Sequence, residues 1–459
     1  MDPIMRNEIR DIHFDVPDFI PIYFHSLNSL NNLESFATTV YEKLDIGNKE
    51  HFPPSWEEED VVPWFCNTLG KIVEMAKIAL KDLPQNESTK DLESRLTCRQ
   101  IVSQPRNSLK GSKAVRSLDI GIAEIHDSCD TNTVHGIENM PICHWKEVLV
   151  PGEFKLNCAN DTCTSTWCDL AHRVREVFCS QGAQRFCHGF TLCGSTMRVL
   201  KFDRAAVYTS HSFDICLDFR RFVVVMLGYF LMSKEELGLD TTICQDGQRQ
   251  YISVTLGGQQ ERFYIQEMVF RQQCIIGRGT TCWKATYNGE TYVIKDSWQY
   301  EEKDNEGQLL TKVKGVPNVA GCYHHETVHV GQEEDDIKNV RKRINILSGQ
   351  KRQILMKSRN SSRDTSISSS GEVKRKWDQL SSRDTSISSS GGVKRKRGQL
   401  SSRDTSISSS GGVKRRRDNE PLSNRKHKRV ILERYGKPLY QATQLVGVLQ
   451  GLIGGILGA

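Results

Sequence analysis

A chain of 459 residues has room for two or three domains with cores of their own. Lysine and arginine exceed aspartate and glutamate by 62 to 56, a formal charge of +6, too slight to mark the whole chain as a nucleic-acid binder; the excess is local, in residues 339–434. Fifteen cysteines with no regular spacing argue against a disulfide framework and for reduced intracellular thiols, Met1-Asp2-Pro3 opens no secretory leader, and the longest apolar run, Phe222 to Met232, has 11 residues, too few to cross a membrane.

Residues 1–110 are expected to form a mostly helical region. Ile72 to Leu83 has helical spacing (Ile72, Met75, Ala76, Ile78, Ala79), and Pro84-Gln85-Asn86 ends it. The polar stretch 85–114 reads as an exposed loop. Residues 111–260 alternate strand-like and helical segments, an α/β habit. Trp145 to Leu156 reads as strand, tight turn and strand around Pro151-Gly152, and Cys168 to Gly182 as a helix. Thr191 to Val199, Ala205 to Tyr208 and Tyr251 to Val254 read as strands.

In residues 261–330 Gly277-Arg278-Gly279 closes a turn between apolar residues. Eighteen residues after the first glycine, Tyr292-Val293-Ile294 ends in Lys295, and eleven further on Glu306 opens a helical pattern. A glycine turn lets backbone N–H groups approach phosphate, a strand lysine supplies charge, and a helix glutamate orients that lysine. The bland alternative is a hairpin with a solvated lysine. Gly307 beside Glu306 lowers helix propensity by about 1 kcal/mol relative to alanine.

Residues 331–428 read as a disordered Ser/Lys/Arg-rich insert. Ser361-Ser362-Arg363-Asp364-Thr365-Ser366-Ile367 recurs from Ser381 and Ser401, a 20-residue period whose units carry too few apolar residues to bury. Lys414 to Arg417 followed by Arg425-Lys426-His427-Lys428-Arg429 has the form of a two-part nuclear import signal, which favours a nuclear over a cytoplasmic location. Phosphate binding to RNA or DNA is weakly supported, with only Trp377 to stack on a base. In residues 429–459 a short strand at Val430-Ile431-Leu432 and a turn at Gly436-Lys437-Pro438 precede an apolar, helical Ala442 to Leu457.

Longer strings sharpen the glycine–lysine–glutamate pattern: Val150-Pro151-Gly152-Glu153-Phe154-Lys155, Lys201-Phe202-Asp203-Arg204, Gly277-Arg278-Gly279-Thr280, Val293-Ile294-Lys295-Asp296-Ser297-Trp298-Gln299 and Gly436-Lys437-Pro438-Leu439. With them the chain resembles the fungal-type protein kinase domain family from about Cys143 to Leu452. The resemblance implies an α+β fold whose last part is a protein-kinase-like amino-terminal lobe, an antiparallel sheet with one helix. It implies ATP as ligand, with Gly277 and Gly279 over the phosphates, Cys282 covering adenine, Lys295 on the α- and β-phosphates and Glu306 holding Lys295. Glu433, Arg434 and Tyr435 would be the hinge that hydrogen-bonds adenine. The family activity implied is Ser/Thr phosphorylation of a protein substrate. No His-Arg-Asp and no Asp-Phe-Gly follows the hinge, so the expectation is a kinase-like chain without its carboxy-terminal lobe and inactive as written, with Mg2+ entering only beside such a lobe.

Two readings come from other classes. One is a non-catalytic nuclear interaction protein that uses the basic insert. The other starts from Asp119, Glu153-Phe154-Lys155 and Gln181, which resemble the restriction-endonuclease-like nuclease fold. Asp119 and Glu153 would be metal ligands and Lys155 would stabilise developing charge, unless the pair is simply a solvated strand face. Cys158, Cys163, Cys168 and His172 lack paired zinc-knuckle spacing and read as free thiols and a histidine.

Overall fold

The computed structural model describes residues 5, 8–9, 11–44, 52–112, 114–124, 143–316, 319–353 and 423–433. Arg434, Tyr435, the three repeats, Lys414 to Arg417 and Ala442 to Leu457 lie outside them. The strands are β1 (Asp11–Phe14), β2 (Arg99–Gln104), β3 (Leu118–Glu124), β4 (Val148–Lys155), β5 (Cys187–Cys193), β6 (Thr196–Phe202), β7 (Val207–Thr209), β8 (Phe213–Asp214), β9 (Ile243–Asp246), β10 (Arg249–Leu256), β11 (Gln259–Arg271), β12 (Thr281–Tyr287), β13 (Glu290–Tyr300), β14 (Cys322–Thr327), β15 (His329–Val330), β16 (Glu333–Glu334), β17 (Gln350–Gln353) and β18 (Arg425–Glu433). The helices are α1 (Phe19–Phe24), α2 (Leu33–Lys43), α3 (Glu58–Lys81), α4 (Glu87–Cys98), α5 (Thr164–Ser180), α6 (Phe219–Leu231), α7 (Glu306–Lys312) and α8 (Ile337–Val340).

The protein is α+β, built on two large sheets. The first is mixed, in the order β17-β1-β7-β6-β5-β4-β3-β2, with β8 beside β6. Its strand β5 is buried at every position because helices cover both faces. On one face α2, α3, α4 and α6 form a core around Phe65, Phe190, Phe222 and Tyr229. On the other, α5 packs Trp167, Leu170, Val174 and Phe178 against Val148, Leu200 and Phe202. The apolar run read from the sequence is α6, buried along its length from Phe222 to Leu231.

The second sheet is antiparallel throughout, in the order β14-β18-β13-β12-β11-β10-β9. Period-2 alternation gives it two different faces. Ile294, Trp283, Ala285 and Ile431 form a compact apolar cluster with Phe263, Ile252 and Val254. Further along that face Trp298 joins Phe186, Ile337 and Val340, so the sheet is seated on the first half of the chain. The opposite face carries Lys295 and Cys282, which stand directly across from each other in the β12–β13 register.

Several expectations are corrected. Residues 85–114 are not a loop: Asn86 caps α4, accepting from the Thr89 N–H at 3.0 Å while its own N–H donates to Thr89 Oγ1 at 2.8 Å, and β2 follows. Pro151-Gly152 is not a turn but the middle of β4; Pro151 stands opposite Gly121 beside a register shift, where a missing N–H is tolerated. The insert expected over 331–428 is narrower. Residues 333–353 hold β16, α8 and β17, and the strand at Val430-Ile431-Leu432 begins earlier, at Arg425. The basic run from Arg425 to Arg429 is therefore sheet, with Arg425, His427 and Arg429 buried: carboxylates far away in sequence meet His427 and Arg429, and Arg425 lies over the Tyr300 ring and donates to its hydroxyl at 2.7 Å. In the folded chain Lys426 and Lys428 are the residues of this run that stay partly exposed.

Candidate functional site

Lys295 projects from β13, and Glu306 is the first residue of α7, capped by Asn305, whose side chain accepts from the Gly307 N–H at 2.9 Å. The lysine ammonium and the glutamate carboxylate are in direct contact. Gly307 is not merely a weak helix former. A Cβ there would lie 2.3 Å from His325 Cβ, so only glycine lets α7 lie this close to β14. Burial pushes the Glu306 carboxyl up, but hydrogen bonds and charge from Lys295, then from Arg278, outweigh it and hold the group below its ordinary range. Cys282 flanks the lysine, its thiol pushed up chiefly by burial. Phe270, opposite Cys282 in the β11–β12 register, is 52% exposed.

The glycine turn joins β11 to β12 and is clamped from below. The Gly277 N–H donates to the Arg204 carbonyl at 3.0 Å, and the Trp298 N–H donates to the Arg278 carbonyl at 2.7 Å. The Arg204 guanidinium is buried; it donates to Cys274 O at 2.8 Å and Gln184 O at 2.8 Å and lies over the Phe178 ring at 4.2 Å. Gly279 has φ +52°, and a Cβ there would lie 2.7 Å from the Arg204 guanidinium carbon, so no other residue fits. Glu8 accepts from the N–H groups of Ile275 and Ile276. The sequence string that ends in Arg204 thus builds the seat of the turn.

Behind the sheet lies a buried ionic network. Arg429 donates to both oxygens of Asp296 at 2.9 and 2.8 Å, to Asp240 at 3.2 Å and to Thr242 Oγ1 at 3.0 Å. His427 stacks on Trp298 and bridges Asp335 (2.9 Å) and Asp296 (3.5 Å), and Asp335 pairs with Arg185 at 2.8 Å. Burial lowers the His427 imidazole, but its hydrogen bonds to Asp296 and Asp335, and their charges, raise it to about 9. Burial raises Asp296, but Arg429 and then His427 bring it down to about 2. Asp240, Asp296 and His427 have the spacing of a metal group, the one so grouped among the described residues. Arg429 fills the place of the ion by holding both aspartates.

Asp119 on β3 and Glu153 on β4 do converge. Arg173 of α5 spans them, 2.6 Å from Asp119 Oδ1 and 2.5 Å from Glu153 Oε2. Lys155 reaches Glu153 at 2.7 Å and Asp169 at 3.0 Å. Burial lifts Glu153 to about 8, against the pull of Arg173. Gln181 is elsewhere: its amide donates to the carbonyls of Trp145 (3.2 Å) and Val148 (2.6 Å), a structural tie.

Of the residues expected at a nucleotide site, Gly277, Gly279, Cys282, Lys295 and Glu306 are brought together. Glu433 ends β18, its N–H donated to Gly321 O at 2.8 Å, and Tyr435 lies outside the described residues. Sequence reading gave no role to Arg278, Arg204 or Arg173, and placed Arg429 in a solvated import signal. Arg278 and Arg204 stand in the motif strings, but only folded geometry shows their partners. Among the described residues no helix is long and apolar enough to cross a membrane.

A family model described as fungal protein kinase matches residues 129–459, well over half of the chain. No curated protein and no solved structure matches it. The match takes in the clamped turn, the lysine–glutamate pair and the ionic network behind them. The chain belongs to the fungal protein kinase family.

Proposed function

We propose that the second sheet is a nucleotide-binding lobe with ATP as its ligand. The observation that carries this reading is the Lys295–Glu306 pair on the open face of the sheet, beneath the Gly277–Gly279 hairpin and beside Phe270 and Cys282. The residues fit a polyphosphate. A carboxylate holds the ammonium extended, and the half-exposed ring of Phe270 offers apolar surface for a base. The activity proposed for these 459 residues is binding. Phosphoryl transfer to a Ser/Thr substrate also takes an aspartate for the hydroxyl and ligands for Mg2+, and the sequence contains no His-Arg-Asp or Asp-Phe-Gly. Calorimetric titration with ATP tests the reading. Lys295→Met is expected to weaken binding by about 10- to 100-fold, the range of one charge-assisted hydrogen bond. Equal affinity in the two proteins would reject it.

A second reading is favoured by one placement, the convergence of Asp119, Glu153 and Lys155. A metal-dependent nuclease would hold a divalent ion between the carboxylates. As the chain stands the residues do not fit a resident ion, since Arg173 bonds both carboxylates. The reading is then of a nuclease-like scaffold with an arginine in the metal's position. Arg173→Ala is expected to gain Mn2+ binding that the parent chain lacks, read by titration of the metal alone. No gain in the variant leaves only an ion-pair cluster.

A further inference from the structure

Glu306 is shared by two cations. Lys295 takes one carboxylate oxygen, and Arg278 Nη2 is 3.0 Å from the other. Two positive groups on one carboxylate leave a positive charge unmatched on the open face of the sheet. Arg278 is 49% exposed, while the backbone that carries it is fixed: its carbonyl is held by Trp298 and the preceding N–H by Arg204. In this turn the part free to move is the guanidinium. The Gly277 N–H, which a phosphate-binding turn would offer, is already committed to Arg204.

We propose that Arg278 is the second phosphate ligand of the site. On binding, the guanidinium leaves Glu306 for the terminal phosphate oxygens, and Glu306 stays with Lys295. A planar guanidinium suits that exchange, because it meets two phosphate oxygens at once with parallel hydrogen bonds. The site then selects for polyphosphate charge, ATP over ADP over adenosine, through Lys295 and Arg278 rather than through the Gly277 amide. This rests on the nucleotide reading above.

The test is titration of the full chain with ATP, ADP and adenosine, in parent, Lys295→Met, Arg278→Ala and Arg278→Lys forms, each checked for an unchanged unfolding midpoint. Arg278→Ala is expected to lose about 10- to 100-fold in ATP affinity. Its adenosine affinity should stay within twofold of the parent's, and Arg278→Lys should recover only part of the loss. If Arg278→Ala binds ATP as the parent does, or loses ATP and adenosine equally, the proposal is overturned while the Lys295 result stands. If the parent binds none of the three, the nucleotide reading itself falls, and this proposal with it.

Discussion

Arg429→Met is expected to cost about 3–5 kcal/mol of folding stability, the usual penalty for removing one partner of a buried ion pair. The side chain is fully buried, and its loss takes the guanidinium from the buried carboxylates of Asp296 and Asp240 and weakens the hold on Glu326. Methionine keeps much of the volume, so the loss is electrostatic rather than a cavity. Adding Asp296→Asn should return part of the stability, because it removes the carboxylate that Arg429 holds by both oxygens. Urea unfolding followed by circular dichroism gives both values. A loss below about 1 kcal/mol, the range of an exposed pair, would show that the network is solvated and contributes little.

Alkaline pH should loosen the same network. His427 has a folded pKa of about 9, above the ordinary 6.5. A raised histidine contributes stability that is fully present below pH 6.5 and is lost as pH rises through 9. The size is about 3 kcal/mol at 1.36 kcal/mol per unit. Asp296 has the opposite sign: its pKa is depressed to about 2, so its contribution is present above pH 3.8 and lost as pH falls through 2. Glu153, raised to about 8, adds a slope of the same sign as His427 between pH 4.5 and 8. Comparison with His427→Gln separates the two. The parent should lose stability between pH 7 and 10, and the variant should be flatter above pH 8. Parallel curves would mean that the imidazole is not charged in the fold.

That Lys295, Glu306 and the Gly277–Gly279 turn would lie together was legible because a strand lysine, a helix glutamate and a two-glycine turn are tied together by spacing. What the neighbouring residues do was not legible. In Lys295-Asp296-Ser297-Trp298, Lys295 faces the open side while Asp296 and Trp298 face the other way, toward Arg429 and His427. Alternation predicts two faces but not what each will meet. Composition misled at Arg425 to Arg429, where a basic run reads as solvated chain. Its partners Asp240, Asp296 and Asp335 lie some 90 to 190 residues away, and local pattern carries no trace of them. The α4 cap was missed, its polar residues being read as loop, although Asn86-Glu87-Ser88-Thr89 places a capping side chain three residues before a hydroxyl.

The position of β18 bears on biosynthesis. This strand lies between β13 and β14, yet it is encoded after both, and Arg425 follows Tyr300 by 125 residues. A ribosome adding about 5–20 residues per second needs on the order of ten seconds to cross that interval. For that time Ile294 and Asp296 have emerged without the neighbour that covers them. The second sheet cannot be completed gradually from its amino-terminal side; it must wait for β18 and then close in one late step.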